Sequence, residues 1–298
     1  MKKMLAKDYK EKYLNDVKSI VGAYESTFEI KPSLVCIQVG DNPDSNLYVN
    51  MKRKAIESIG ANFIYDKIEA LSEENKIQFL IDRINNSIDE SVQGLMIQLP
   101  IPGLTKEETE YVLNNIDKDI DVDGLSAYNR CFISDKHLSQ NIYVPCTARG
   151  IMSLLKFHNV TLAGKNVTII GRSVEVGKPL VDLCIKDNAT VTCIHSFTPM
   201  SCRIDILKHS DIVISAAGCA RHIKPEYLKE GVVIVDAGVT IIDGKSVGDF
   251  DEACYEKASL YTPYTGAVGP MTIMSLLENF SESCSKEIIG EYSYQYEI

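Results

Sequence analysis

Short β-branched runs alternate with helical periodicities along most of this chain. In the first half, SLVCIQVG (33–40) precedes a helical pattern at 45–60, followed by ANFIYDKI (61–68), a polar amphipathic stretch from about 72 to 88, and VQGLMIQLP (92–100). Strand, helix, strand, helix, strand is the signature of a parallel α/β sheet. A helix is expected from about 105 to 116, ahead of the acidic loop DKDIDVDGL, and periodicity fades between 126 and 145. After VPCTARG (144–150) and a further helix, a second series begins: NVTIIG (166–171), ATVTCIHS (189–196), DIVISAAG (211–218) and VVIVDAG (232–238). Four such runs, each followed by turn chemistry, describe a doubly wound sheet. The last helical stretch, 271–288, has no strand left to serve and is expected to pack back on the first domain. The pattern divides the chain into one domain of residues 1–143 plus 272–298 and a second of residues 144–271.

The helical pattern at 45–60 contains an anomaly. At about 100° per residue, Val49, Ile56 and Ile59 share one arc with Tyr48 beside them, while Arg53, Lys54 and Glu57 point away. Lys52 sits in the middle of the apolar arc. A lysine is rarely buried without a partner, although a tyrosine packed on a lysine stem is a common surface arrangement. Gln98, at the end of a strongly apolar strand, lies where a parallel sheet places its ligands. Asp123, in the loop after the following helix, is presented from the same end; taken alone it reads as a solvated residue of an acidic run. A partly desolvated amine gives up its proton more readily than one in water, which fits it to accept a proton in catalysis.

A second motif opens the other series. IIGRSVEVGKPL (169–180) joins a strand to a helix, with Gly171 suited to a sharp turn and Gly177 to a close approach, and its free N–H groups suit a phosphate. The spacing is not the usual G-x-G-x-x-G, so the pattern alone also fits an ordinary strand-to-helix turn. A site for NAD carries an acidic residue at the end of the next strand to bind the ribose 2′-hydroxyl. This chain has His195, Ser196 and Phe197 there. With no carboxylate to repel a 2′-phosphate, and with Arg172 and Ser196 able to bind one, NADP is preferred over NAD.

Composition narrows the partners. Of 298 residues, 41 are acidic and 31 basic, a formal charge of −10 that disfavours a sequence-independent grip on nucleic acid or an anionic membrane. A small ligand is expected instead. Nine cysteines, an odd number, show neither a Cys-x-x-Cys pair nor zinc-finger spacing, so reduced thiols and no metal are expected. The N-terminus lacks the apolar core of a signal peptide, and no apolar run is long enough for a membrane span, so a cytoplasmic location is expected.

Taken in order, Tyr48-Val-Asn-Met-Lys52, Gln98-Leu-Pro-Ile-Pro102, Asp121-Val-Asp123-Gly124, Pro145-Cys-Thr147, Gly171-Arg-Ser173 with Val176-Gly177-Lys-Pro179, Gly248-Asp249 and Gly269-Pro-Met-Thr272 resemble the bifunctional methylenetetrahydrofolate dehydrogenase/cyclohydrolase family. The match runs from about residue 30 to 280; each motif is weak, but the ordered set is specific. The resemblance implies an N-terminal α/β catalytic domain and a C-terminal Rossmann-type NAD(P)-binding domain, with the active site in the cleft between them. It also implies a cytosolic homodimer of one-carbon metabolism. Such an enzyme oxidises 5,10-methylenetetrahydrofolate with NADP and hydrolyses the methenyl product to 10-formyltetrahydrofolate. By position, Lys52 would be central to hydrolysis, Gln98 bonded to it, Tyr48 lining the folate and Asp123 holding the pterin. Gly171, Arg172, Ser173, Ser196 and Val239 would contact the cofactor, and Gly266, Ala267, Val268 and Gly269 would border the folate.

The chain departs from that family's pattern at several places. Ala148 replaces a proline and Ile120 a lysine, while Tyr264, Thr265 and Ala267 alter the loop beside the folate. Phe197 takes a position that is often basic, Ala220 replaces a proline, and Thr240 replaces an asparagine near the cofactor. A folate- or nucleotide-binding regulator whose altered 264–267 loop has lost turnover is the alternative. A short-chain dehydrogenase also uses Tyr-x-x-x-Lys, but there the pair follows the glycine loop, whereas here it precedes the loop by more than 100 residues.

Overall fold

A computed structural model describes residues 2–72, 74–135 and 142–296, with side chains through 290. Residues 136–141, inside the stretch of faded periodicity, lie outside the described residues. In chain order the elements begin β1 (Lys2–Lys3), α1 (Ala6–Phe28), β2 (Ser33–Val39), α2 (Pro43–Ser58), β3 (Asn62–Ile68), α3 (Lys76–Asn86), β4 (Val92–Gln98), α4 (Lys106–Leu113) and α5 (Ala127–Cys131). They continue with α6 (Cys146–Phe157), β5 (Asn166–Ile170), α7 (Gly177–Lys186), β6 (Thr190–Ile194), α8 (Met200–His209) and β7 (Ile212–Ser215). The rest are β8 (Val232–Asp236), β9 (Val239–Ile242), β10 (Lys245–Gly248), β11 (Ala258–Tyr261) and α9 (Val268–Tyr296). Among the described residues no helix is long and apolar enough to cross a membrane.

Two compact units result. The first, here the lysine unit, holds residues 13–132, 142–144 and 273–296. Its sheet is parallel, in the order β3-β2-β4, with Cys36 opposite both Tyr65 and Met96. The central strand is buried along its whole length, as expected where helices cover both faces of a parallel sheet. Val35, Ile37 and Val39 pack with Leu95, Ile97 and the helical residues Leu80, Ile84, Val112 and Leu113. Burying one such side chain contributes about 1.5–3 kcal/mol. Helix α9 packs into this unit from residue 273. There Asn279 donates to the carbonyls of Val122 (2.7 Å) and Val144 (3.0 Å).

The second, the glycine unit, holds residues 2–12, 133–135 and 145–272 around a six-stranded sheet ordered β1-β11-β8-β7-β5-β6. All its pairings are parallel. Residues 2–12 pack with this unit, whereas the sequence-based division sets them with the rest of the N-terminal half. Lys2 and Lys3 pair with Leu260 and Tyr261, and Met4 and Ala6 are buried in this unit's core. A two-residue strand is too short to leave a periodicity. The antiparallel hairpin β9-β10 and strand β11, which lies between β1 and β8, are also absent from the pattern of alternating runs. Strand β5 lies between β6 and β7, so the chain leaves it in one direction for β6 and in the other for β7 and β8. That is a topological switch point, where open α/β sheets bind ligands beyond their carboxyl ends.

Candidate functional site

Helix α2 begins at Asn42, whose side-chain oxygen accepts the backbone N–H groups of Asp44 (2.9 Å) and Ser45 (3.2 Å), with Pro43 in the first turn. Both features favour helix initiation. The face so directed inward carries Ser45, Val49, Lys52, Ala55 and Ile56. Lys52 is 7% exposed. Its Nζ donates to Gln98 Oε1 at 3.1 Å and lies 3.9 Å from Asp123 Oδ2. Gln98 is itself oriented, because its Nε2 donates to the Leu99 carbonyl at 2.8 Å. The amine is thus shielded, hydrogen-bonded and supplied with a counter-charge, the condition for keeping a lysine inside. The nearby Cys36 thiol, by contrast, is pushed up to about 12 by burial, against the opposing pull of Lys52.

Lys52, Gln98 and Asp123 come together in the lysine unit, and Tyr48, one turn before Lys52 on the same helix, is 40% exposed. Arg53 does not simply point away. Its guanidinium lies 5.5 Å from the Phe63 ring centroid and 5.1 Å from that of Tyr65, because the aromatic side chains of β3 offer a cation a favourable face.

Two residues that place Asp123 carry no role in the sequence pattern. Asp121, 1% exposed, accepts the backbone N–H groups of Gly124 (3.2 Å), Leu125 (3.3 Å) and Ser126 (2.8 Å) and the Asn129 side chain (2.9 Å). Burial raises its carboxyl to about 6, against the lowering effect of these hydrogen bonds. Asn279 holds the same turn through Val122. Its partner is 157 positions away, so no local signal marks it.

In the glycine unit, Gly171 follows β5 with φ +118, and a Cβ there would meet the Ala216 carbonyl oxygen at 2.7 Å. A Cβ on Gly177 would overlap the Gly171 carbonyl oxygen, so helix α7 approaches the turn only because residue 177 has no side chain. Arg172, Ser173 and Ser196 are exposed beside this turn. The Arg172 guanidinium lies 5.6 Å from the ring centroid of Phe197, which is itself 81% exposed. The aromatic residue at this often basic position thus lies against Arg172. Arg203, another residue the sequence reading missed, donates to the His195 carbonyl (2.9 Å) and the Thr198 carbonyl (2.9 Å) and so fixes the 195–198 turn. Val239, at the start of the β9-β10 hairpin, is 44% exposed.

Gly266, Ala267, Val268 and Gly269 lie in the glycine unit, whereas Tyr48, Lys52, Gln98 and Asp123 lie in the lysine unit. Gly266 is exposed, but Ala267 (0%) and Val268 (8%) turn their side chains into the apolar core.

The fold and these residues define an α/β protein with a pyridine-nucleotide-type glycine turn in one unit and a buried lysine centre in the other. Two family models match it: residues 3–123 match the tetrahydrofolate dehydrogenase/cyclohydrolase catalytic domain and residues 145–288 the NAD(P)-binding domain of the same family. The chain belongs to the tetrahydrofolate dehydrogenase/cyclohydrolase family. It is 40% identical over 251 residues to the bifunctional protein FolD of Halalkalibacterium halodurans, covering 84% of this chain and 87% of that one. The structure of the bifunctional FolD methylenetetrahydrofolate dehydrogenase/cyclohydrolase from Campylobacter jejuni superposes with a TM-score of 0.87 at 35% identity, covering 96% of this chain and 99% of that one. The Trypanosoma brucei enzyme of this name, in complex with NADP and an inhibitor, gives 0.86 at 29% identity, with 95% and 97% covered.

Proposed function

We propose that this protein is a bifunctional enzyme of one-carbon metabolism. It oxidises 5,10-methylenetetrahydrofolate with NADP and hydrolyses 5,10-methenyltetrahydrofolate to 10-formyltetrahydrofolate. The observation that carries this reading is the buried Lys52 amine, held 3.1 Å from Gln98 and 3.9 Å from Asp123. In hydrolysis, water adds to the methenyl carbon and the Lys52 amine accepts the first proton that this water loses; the hydroxyl proton of the adduct then passes to N5 as the C–N5 bond opens, leaving the formyl group on N10. Gln98 orients the amine, Asp123 holds the pterin ring and Tyr48 lines the folate. A positioned base of this kind contributes about 10²–10⁴-fold to a rate.

The glycine turn fits NADP. Its backbone can approach a pyrophosphate. Arg172, Ser173 and Ser196 offer a cation and two hydroxyls for a 2′-phosphate, and Val239 is exposed to border the nucleotide. Bound NADP supplies the hydride acceptor for the oxidation. The protein's part in that step is to hold the folate carbon close and in line. Gly266 to Gly269 would border the folate through backbone, since the methyl of Ala267 is absorbed by the core. That accommodation favours an active enzyme over a regulator with a disabled loop.

The same reading takes the protein as cytoplasmic and homodimeric. The pattern of nine cysteines supports the first, and the outer edge of β3, with Ile64 41% exposed, supports pairing with a second copy. The test is absorbance of purified protein given methylenetetrahydrofolate and either nucleotide, following reduced nicotinamide and the methenyl species separately. Both signals are expected, faster with NADP than with NAD. Binding of folate and nucleotide without either signal would leave a regulator.

A further inference from the structure

At the carboxyl end of β7 the chain makes the turn Ser215 to Cys219, which meets the glycine turn directly: Ala216 N–H donates to the Ile170 carbonyl at 2.8 Å, and the Ala216 carbonyl blocks any side chain at Gly171. This turn stands beside the glycine turn at the switch point, where a crevice for a ligand is expected. Its conformation is set by a carboxylate that sequence reading left without a role. Asp249 is fully buried. Its Oδ2 accepts the Ser215 hydroxyl (2.6 Å) and the Ala217 N–H (2.9 Å), and its Oδ1 accepts the Cys219 N–H (2.7 Å).

A second buried carboxylate holds the first. Asp236 Oδ1 accepts the Asp249 N–H (3.0 Å), and its Oδ2 accepts the Phe250 N–H (3.3 Å) and the Tyr255 hydroxyl (3.2 Å). No lysine or arginine pairs with either carboxylate among the described residues. Side chains at Gly238 or Gly248 would overlap the Asp249 and Asp236 carboxylates respectively. A buried, unpaired carboxylate is costly to keep. The backbone ladders β5-β7 and β7-β8 use none of its side-chain atoms, and its bonds go to the end of β7 at Ser215 and to two backbone N–H groups of the turn.

We infer that Asp249 is a positioning residue for the pyridine nucleotide: it fixes the 215–219 turn, and through it the width of the crevice that receives the cofactor. Asp236 supports it from behind. The inference rests on the proposal that the glycine turn binds NADP. The test compares the parent with Asp249→Asn and Ser215→Ala, measuring NADP dissociation constants, KM for NADP and for methylenetetrahydrofolate, methenyl hydrolysis without nucleotide, and thermal midpoints. Asp249→Asn should weaken NADP about tenfold and Ser215→Ala about threefold, because the latter removes one bond of three. KM for the folate and hydrolysis without nucleotide should stay within about twofold, because the bonds Asp249 makes to this turn lie within the glycine unit, whereas Lys52, Gln98 and Asp123 belong to the lysine unit. Should Asp249→Asn fail to fold, Ser215→Ala decides the matter. Unchanged NADP affinity in a folded variant, or hydrolysis falling in step with it, would overturn the inference alone. A parent that binds no NADP would remove the reading beneath it as well.

Discussion

The lysine centre and the glycine turn solve opposite problems. At the first, the chemistry sits in side chains that are dry: Lys52 is 7% exposed and its partners come from a strand end and a loop. At the second, the side chains named for binding are exposed, and shape comes from residues that lack a side chain, Gly171 and Gly177. A proton acceptor needs a controlled environment, whereas a nucleotide phosphate needs room and N–H groups. What the two share is concealed. Each has a buried aspartate, Asp121 or Asp249, whose carboxylate gathers the backbone N–H groups of a loop beside a parallel sheet.

If backbone shape carries the glycine site, Gly177→Ala should do the greatest damage. The added methyl meets backbone oxygen, which cannot swing aside as a flexible side chain would. Stability should fall by about 1–3 kcal/mol, and NADP binding should be lost in a direct titration. Normal NADP affinity in that variant would dissolve the contrast drawn above. Arg172→Ala sharpens the same contrast with a smaller effect, because it removes an exposed cation and leaves the turn intact. NADP affinity should fall about 10- to 100-fold, as expected for charge-assisted bonds, while NAD affinity changes little. Equal losses for the two nucleotides would take the 2′-phosphate away from Arg172.

These asymmetries decide what was legible beforehand. Lys52 could be read because helical periodicity is local, and a charge on an apolar arc violates it within four residues. Gln98 could be read because it closes an apolar strand. The β9-β10 hairpin could not: its strands are four residues each, with Val239, Ile241 and Ile242 all substantially exposed, so they show no alternation of buried and exposed positions. Nor could residues 2–12 be placed, since their partner strand lies at the far end of the chain. Asn279 and Asp249 belong to the same class. Each acts on a turn far away in sequence, and although Asp249 stands in the Gly248-Asp249 motif, nothing beside either residue names the turn it holds.

The account stands on the buried amine, and the most direct measurement is methenyltetrahydrofolate hydrolysis by Lys52→Met beside the parent, with folate affinity determined in parallel. Methionine fills similar volume without a proton acceptor, so the rate should drop by at least about 100-fold while folate binds within a few-fold of the parent. Equal rates in the two proteins would contradict the account.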